Sequence, residues 1–134
     1  MNVEEFMTTR IETIDSDRTV YDALEKMVDR RIRSLLVRFS GNDLEDGVVT
    51  ARDIVFRVLS KGKEPGEVKV ADIASRPIVC INRSMDIKAA AVLMEESKVA
   101  RVFVCEEGSI IGVLSLVDVM TATLIMRARG NHVF

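Results

Sequence analysis

The chain repeats itself, and that repeat limits what it can fold into. Shifted by 67 positions, residues 11–37 lie over residues 78–104. Ile11/Ile78, Ile14/Ile81, Ala23/Ala90, Met27/Met94 and Val37/Val104 are identical, and Val20/Ile87, Ile32/Val99 and Leu35/Val102 are conservative. The identical pair Val3/Val70 extends the match upstream. Further on the offset falls to 65, because the first copy carries two extra loop residues. Gly47-Val-Val-Thr-Ala-Arg-Asp53 then lies over Gly112-Val-Leu-Ser-Leu-Val-Asp118. An insertion confined to a loop, with the apolar pattern kept on both sides, is what a structural duplication produces.

Each copy reads as β-α-β-β-α. A short strand is expected at 10–14 and again at 78–81. In the helix that follows, Val20, Ala23, Leu24, Met27 and Val28 fall at i, i+3, i+4, i+7 and i+8, one continuous apolar stripe. Ile87, Ala90, Ala91 and Met94 repeat it, widened by Val92 and Leu93, so the second helix is expected to be the more buried. Asp17 or Thr19 can cap the first helix, Ser84 or Asp86 the second. Two apolar strands come next, 32–38 with 46–50 and 99–105 with 110–115, and Gly41 and Gly108 suit the turns between them. Final helices are expected at 52–59 and 117–129, the last stopped by Gly130. Its apolar face (Val119, Met120, Thr123, Leu124) is longer than that of its counterpart. The Gly, Pro and charge content of 60–67 marks a connection. The expected organisation is a first repeat at 1–60, a linker at 61–69 and a second repeat at 70–134. A unit of about 57 residues has a marginal core by itself. The natural solution is an α/β (α+β) fold in which two tandem repeats pack about a pseudo-twofold axis.

Composition removes several function classes. Net charge is −2, from 19 Lys+Arg and 21 Asp+Glu, so the global basic field of a nucleic-acid binder is absent. Arg30, Arg31 and Arg33 make only a local basic spot at a helix C-terminus, where the dipole favours cations. No apolar run is long enough to span a membrane, and the N-terminus is too polar for a signal peptide. The one histidine, His132, leaves little basis for His-based catalysis or a metal cluster. Cys80 and Cys105 sit in apolar stretches without metal spacing. They read as inert core thiols of a cytoplasmic, reduced protein, and a disulfide scaffold is not expected.

The most marked residues are Thr50 with Asp53, and Ser115 with Asp118. A hydroxyl followed three residues later by an acid, at a strand-to-helix turn, is a capping box. The same turn can serve a ligand. Unpaired N–H groups at a helix start favour an anion or polar group, and a carboxylate can accept both hydroxyls of a ribose. The two readings are compatible. Arg33 and Arg101 lie in the second strands, one residue out of register with each other. Each is either a solvated side chain on a polar strand face or a phosphate contact through its planar donor fork. Arg52 stands beside Asp53, whereas Val117 stands beside Asp118, so the two copies are expected to be unequal and the first the more polar.

Gly47-Val-Val-Thr50-Ala-Arg-Asp53 and Gly112-Val-Leu-Ser115-Leu-Val-Asp118, together with Thr19-Val20-Tyr-Asp-Ala23-Leu24, resemble the signature of CBS domains. The match covers about residues 3–125, and the chain resembles a tandem CBS pair, a Bateman module. Where the family often has proline in the second strand, this chain has Leu36 and Phe103. The resemblance implies a regulatory, non-enzymatic module that binds adenine nucleotides or adenosyl compounds in clefts between the repeats. It places Ile32 and Val99–Ala100 against adenine, Arg33 and Arg101 against phosphates, and Thr50, Arg52, Asp53, Ser115 and Asp118 around ribose and phosphate. Ile32 and Val99 are equally at home in a sheet core. No cofactor is required on this reading, and the nucleotide (AMP, ADP or ATP) is a regulatory ligand. A homodimer is expected, with an unidentified protein partner possible and no nucleic acid or membrane. The alternative is a ligand-free dimerisation or scaffold module.

Overall fold

The computed structural model describes residues 1–39 and 45–130. Gly41 and His132 lie outside them. The elements are β1 (Thr13–Asp15), α1 (Val20–Arg30), β2 (Ser34–Arg38), β3 (Gly47–Thr50), α2 (Ala51–Arg57), β4 (Cys80–Ile81), α3 (Ile87–Ser97), β5 (Arg101–Glu106), β6 (Ser109–Ser115) and α4 (Leu116–Ala128), with 3-10 turns at Val3–Glu5, Leu59–Lys61, Pro65–Glu67 and Val70–Asp72. Each copy is therefore β-α-β-β-α, as its apolar periodicity requires. The sheets have the order β1-β2-β3 and β4-β5-β6. In each, the first pair is parallel (Thr13 opposite Leu36, Cys80 opposite Phe103) and the second antiparallel (Leu36 opposite Val48, Phe103 opposite Val113). Leu36 and Phe103 use the N–H that proline would lack, donating to Glu12 O at 3.0 Å and Val79 O at 2.8 Å.

The helices form for the expected reasons, over narrower stripes. Thr19 caps α1, accepting from Asp22 N at 3.1 Å, while the Asp22 carboxylate accepts from Thr19 N. Hydrogen bonds donated to its carboxyl by Thr19, the backbone N–H first and then the side chain, hold Asp22 below the usual carboxylate range. Asp86 caps α3 through Lys88 N. Val20, Ala23 and Met27 are buried, and so are their counterparts Ile87, Ala90 and Met94. Val28 is 68% exposed and Val92 47%, so neither belongs to the stripe. At i+8, Val28 has rotated past the sheet-facing side, and Val92 lies outside the i, i+3, i+7 set altogether.

The chain divides into two compact units whose bounds are offset from those of the sequence repeats. One unit is Ile11–Ile78. The other combines Met1–Arg10 with the chain from Val79 onward. Val3 is wholly buried among Ile81, Ile87, Val102 and Leu114 of the second copy. Its counterpart Val70 is wholly buried among Val20, Val37 and Val49 of the first. Each leading segment thus completes the core of the other copy's strands. The expected linker residues, together with 70–78, run along the first copy. Lys69 bridges Thr19, Ser75 bridges Val48, and Thr8 bridges Val113 in the other unit. Arg83 ties down the N-terminal segment by pairing with Glu4, and it also donates to Glu106 at 3.1 Å. The hydrogen bond from Arg83 draws the Glu4 carboxyl below its ordinary range.

The cysteines overturn their expectation. Cys80 and Cys105 form a disulfide, with Cα atoms 5.7 Å apart, an ordinary separation for such a bond. The parallel register puts Cys80 opposite Phe103, so Cys105, two residues on, shares its sheet face. Cys80 is exposed and Cys105 half-buried. An apolar run looks like core in sequence, but β4 is two residues long and brings Cys80 to the surface.

The bridging segments explain the glycines of the duplicated signature. A Cβ on Gly47 would sit 2.7 Å from Ser75 O, and one on Gly112 would sit 2.5 Å from Met7 Sδ and 3.2 Å from Thr8 O. Backbone cannot give way, whereas a thioether at the end of a flexible chain can. Gly47→Ala is therefore expected to lower stability by about 1–3 kcal/mol, as overpacking does, and Gly112→Ala by less. Urea unfolding of both variants measures the order.

Candidate functional site

The candidate residues fall into two sets, each inside one unit. In the first, Thr50 closes β3 and caps α2. Its Oγ1 accepts from Asp53 N at 3.1 Å, and the Asp53 carboxylate accepts from Thr50 N and Thr50 Oγ1, both at 2.9 Å. In the second, Ser115 closes β6 and caps α4. Its Oγ accepts from Asp118 N at 3.3 Å, and the Asp118 carboxylate accepts from Ser115 N at 2.8 Å and Ser115 Oγ at 3.0 Å. The capping-box reading is thus realised twice.

These boxes do not exhaust the carboxylates. In both, every accepted bond falls on Oδ2. Oδ1 of Asp53 and of Asp118 accepts none among the described residues. Both aspartates are half-buried, so each presents one fixed, unspent acceptor at a strand-to-helix turn. The cap orients the carboxylate, and the second oxygen remains available to a hydroxyl donor.

Register places the remaining candidates. Ser34 lies opposite Thr50 and Arg101 opposite Ser115, so Ser34 and Arg101 are equivalent. Arg33 O accepts from Ala51 N at 2.9 Å and Ala100 O from Leu116 N at 3.1 Å, which makes Arg33 the equivalent of Ala100. The structure thereby brings Ile32 and Arg33 to the first capped turn, and Val99, Ala100 and Arg101 to the second. Arg33 lies just ahead of β2, not within it, and is exposed. Arg101 begins β5 and is half-buried. Ile32 packs against the first core cluster and Val99 against the second, so both also serve as core. Arg52 is exposed, and its guanidinium lies over the Phe56 ring, 5.0 Å from the centroid. A phosphate that recruited Arg52 would compete with this cation–π contact, worth about 0.5–1 kcal/mol at an exposed site.

An open apolar groove of about 630 Å³ lies beside the second turn, and of its lining only Val99 and Ala100 are expected from the sequence to face a ligand. Val99 and Ala100 line it with Ala91 and Met94 of α3 and Leu116 and Met120 of α4. The available signal was α4 itself, apolar on nearly every side, which is the pattern of a helix covered all round. Leu116, Val117, Met120 and Leu124 are each more than half exposed (51%, 58%, 66% and 71%). Among the described residues no group of three or more His, Cys, Asp or Glu could hold a metal ion, and no helix is long and apolar enough to cross a membrane.

This arrangement of two like units, each with a capped Thr/Ser-x-x-Asp turn, has known relatives. The family model described as CBS domain matches residues 3–60 and 70–124, and the chain belongs to that family as a tandem pair. It is 31% identical over 103 residues to protein MK0525 of Methanopyrus kandleri, covering 76% of this chain and 52% of that protein, so it spans about half of that relative's length. Among solved structures it is similar to a hexameric CBS-CP12 protein from bloom-forming cyanobacteria, with a TM-score of 0.83, 28% identity, and coverage of 90% of this chain and 69% of that one. It is also similar to CBSX2 in complex with AMP, with a TM-score of 0.75, 27% identity, and coverage of 94% and 98%. The chain is a CBS-domain regulatory module by family.

Loss of either cap hydroxyl should be felt as stability. Thr50→Ala and Ser115→Ala are each expected to cost about 0.5–2 kcal/mol, the usual range for a lost N-cap. Thermal and urea unfolding of the ligand-free variants check this.

Proposed function

We propose that the chain is a ligand-sensing CBS pair that binds an adenine nucleotide (AMP, ADP or ATP) or an adenosyl compound, and that it performs no catalysis. The observation that carries this reading is the unspent Oδ1 on two cap-fixed aspartates, in duplicate. Asp53 and Asp118 are the ribose-holding residues, with Thr50 and Ser115 supplying a hydroxyl to ribose or phosphate. Arg33 and Arg101 take phosphate, Arg52 assists once released from Phe56, and Ile32, Val99 and Ala100 face the base. The AMP in CBSX2 supports an adenine ligand for a chain of this fold. Binding becomes a signal only where the ligand prefers one of two states of the module. The first set is the stronger, because Val117 replaces the counterpart of Arg52.

The exposed apolar residues of α4 support self-association. Covering them with a second copy, closed by a twofold axis as most soluble oligomers are, removes four large apolar side chains from water. We therefore read the module as a homodimer. Light scattering over a dilution series should give twice 14.9 kDa. Leu124→Asp should shift the mass toward one chain, and a single-chain mass at every concentration removes the dimer.

Calorimetry with AMP, ADP and ATP, with GMP and adenosylmethionine for comparison, tests the ligand. Asp53→Ala is expected to weaken binding by roughly 10- to 100-fold, since hydrogen bonds to a charged group are worth about 1.5–3 kcal/mol and about 1.4 kcal/mol is tenfold. Asp118→Ala should have a smaller effect. If both variants melt early yet bind like the parent, the aspartates are caps only. If no adenine compound binds at millimolar concentration, the scaffold reading replaces this one.

A further inference from the structure

The geometry points to the Cys80–Cys105 disulfide as a thiol–disulfide exchange site, open to a dithiol reductant while the protein stays folded. Three features carry this. Cys80 is exposed, so one sulfur of the bond is within reach of an attacking thiolate. Its strand β4 is two residues long and pairs with β5 alone, at the edge of its sheet, so no neighbouring strand shields it. Cys105 sits beside the β5–β6 register shift, where Ile111 of β6 is the extra residue between the Val104–Gly112 and Cys105–Ile110 pairs, so the ladder next to the disulfide is irregular.

The chemistry balances with a dithiol. One of its thiolates attacks Cys80 Sγ, forming a mixed disulfide as the Cys80–Cys105 bond breaks. The electron pair leaves on Cys105 Sγ, which takes a proton. The second thiolate of the reductant attacks its own sulfur in the mixed disulfide and releases Cys80 as a thiol. Two electrons pass to the protein, and the reductant becomes a cyclic disulfide. The closed loop spans a sequence separation of 25 and contains all of α3, so reduction leaves β4 held by its short ladder and by Ile81 in the core. The redox state of this pair sets how firmly the second copy's first strand is held. This inference does not depend on the nucleotide reading.

The test uses the full chain and dithiothreitol. Samples are quenched in acid, alkylated with N-ethylmaleimide and counted by intact mass, across urea concentrations below the unfolding transition. The expected result is no label before reduction and two labels after it, at a rate that does not rise with urea, and a reduced protein that melts cooperatively about 5 °C or more lower. A rate that climbs steeply with urea places the exchange in the unfolded chain and overturns the proposal. So does an unchanged melting temperature, or two free thiols that oxidised glutathione does not close. A second comparison needs no disulfide to begin with. In Cys105→Ser the Cys80 thiol should form a mixed disulfide with oxidised glutathione about tenfold faster than the Cys105 thiol does in Cys80→Ser. Equal or reversed rates count against Cys80 as the attacked sulfur.

Discussion

A backbone segment laid against a strand at a distance no side chain would tolerate is the constraint on which each unit rests. Gly47 admits Ser75 and Arg76, and Gly112 admits Met7 and Thr8. The bridges Val48–Ser75 and Thr8–Val113 follow directly. They cover the outer edges of β3 and β6, which would otherwise present unpaired N–H and C=O groups. The same segments deliver Val70 and Val3 into the two cores. A glycine required for packing thus opens the signature, and the hydroxyl and carboxylate of the candidate site follow three and six residues later on the strand and helix it positions.

At the capped turns, structure and chemistry share atoms. One carboxylate oxygen of each aspartate is committed to the backbone N–H and hydroxyl of the cap residue. This fixes the plane of the carboxylate and leaves its other oxygen aimed by that geometry. A capping box and a ligand-binding carboxylate are therefore compatible at these positions. The cap supplies the preorganisation that a binding carboxylate needs, because an acceptor held in place loses less freedom when a ligand arrives.

The two copies have diverged around this common frame. The first keeps Arg33 and Arg52 near its turn. The second has Ala100 and Val117 at those places and gains Arg101 where the first has Ser34. The second also carries the disulfide, the apolar groove and the longer final helix. Polarity is concentrated in one copy, and apolar surface and redox chemistry in the other.

The sequence by itself determined the duplication, the element order, the caps and most of the core, because these depend on local periodicity and on side chains three or four residues apart. Val20, Ala23 and Met27 recur as Ile87, Ala90 and Met94, and a period of 3.6 residues fixes which side of a helix they share. It also determined the chemistry available at Thr50, Asp53, Ser115 and Asp118, since a box of that spacing has one local geometry. Tertiary structure decided which repeat each leading segment completes. Val3 and Val70 look alike in sequence, and only the close approach at Gly112 and Gly47 assigns them. It decided that Arg33 corresponds to Ala100, because strand register is set by hydrogen bonds between residues far apart in the chain. It decided the fate of the cysteines for the same reason: 25 residues separate Cys80 from Cys105, and only the parallel pairing of a two-residue edge strand brings their sulfurs together at the surface.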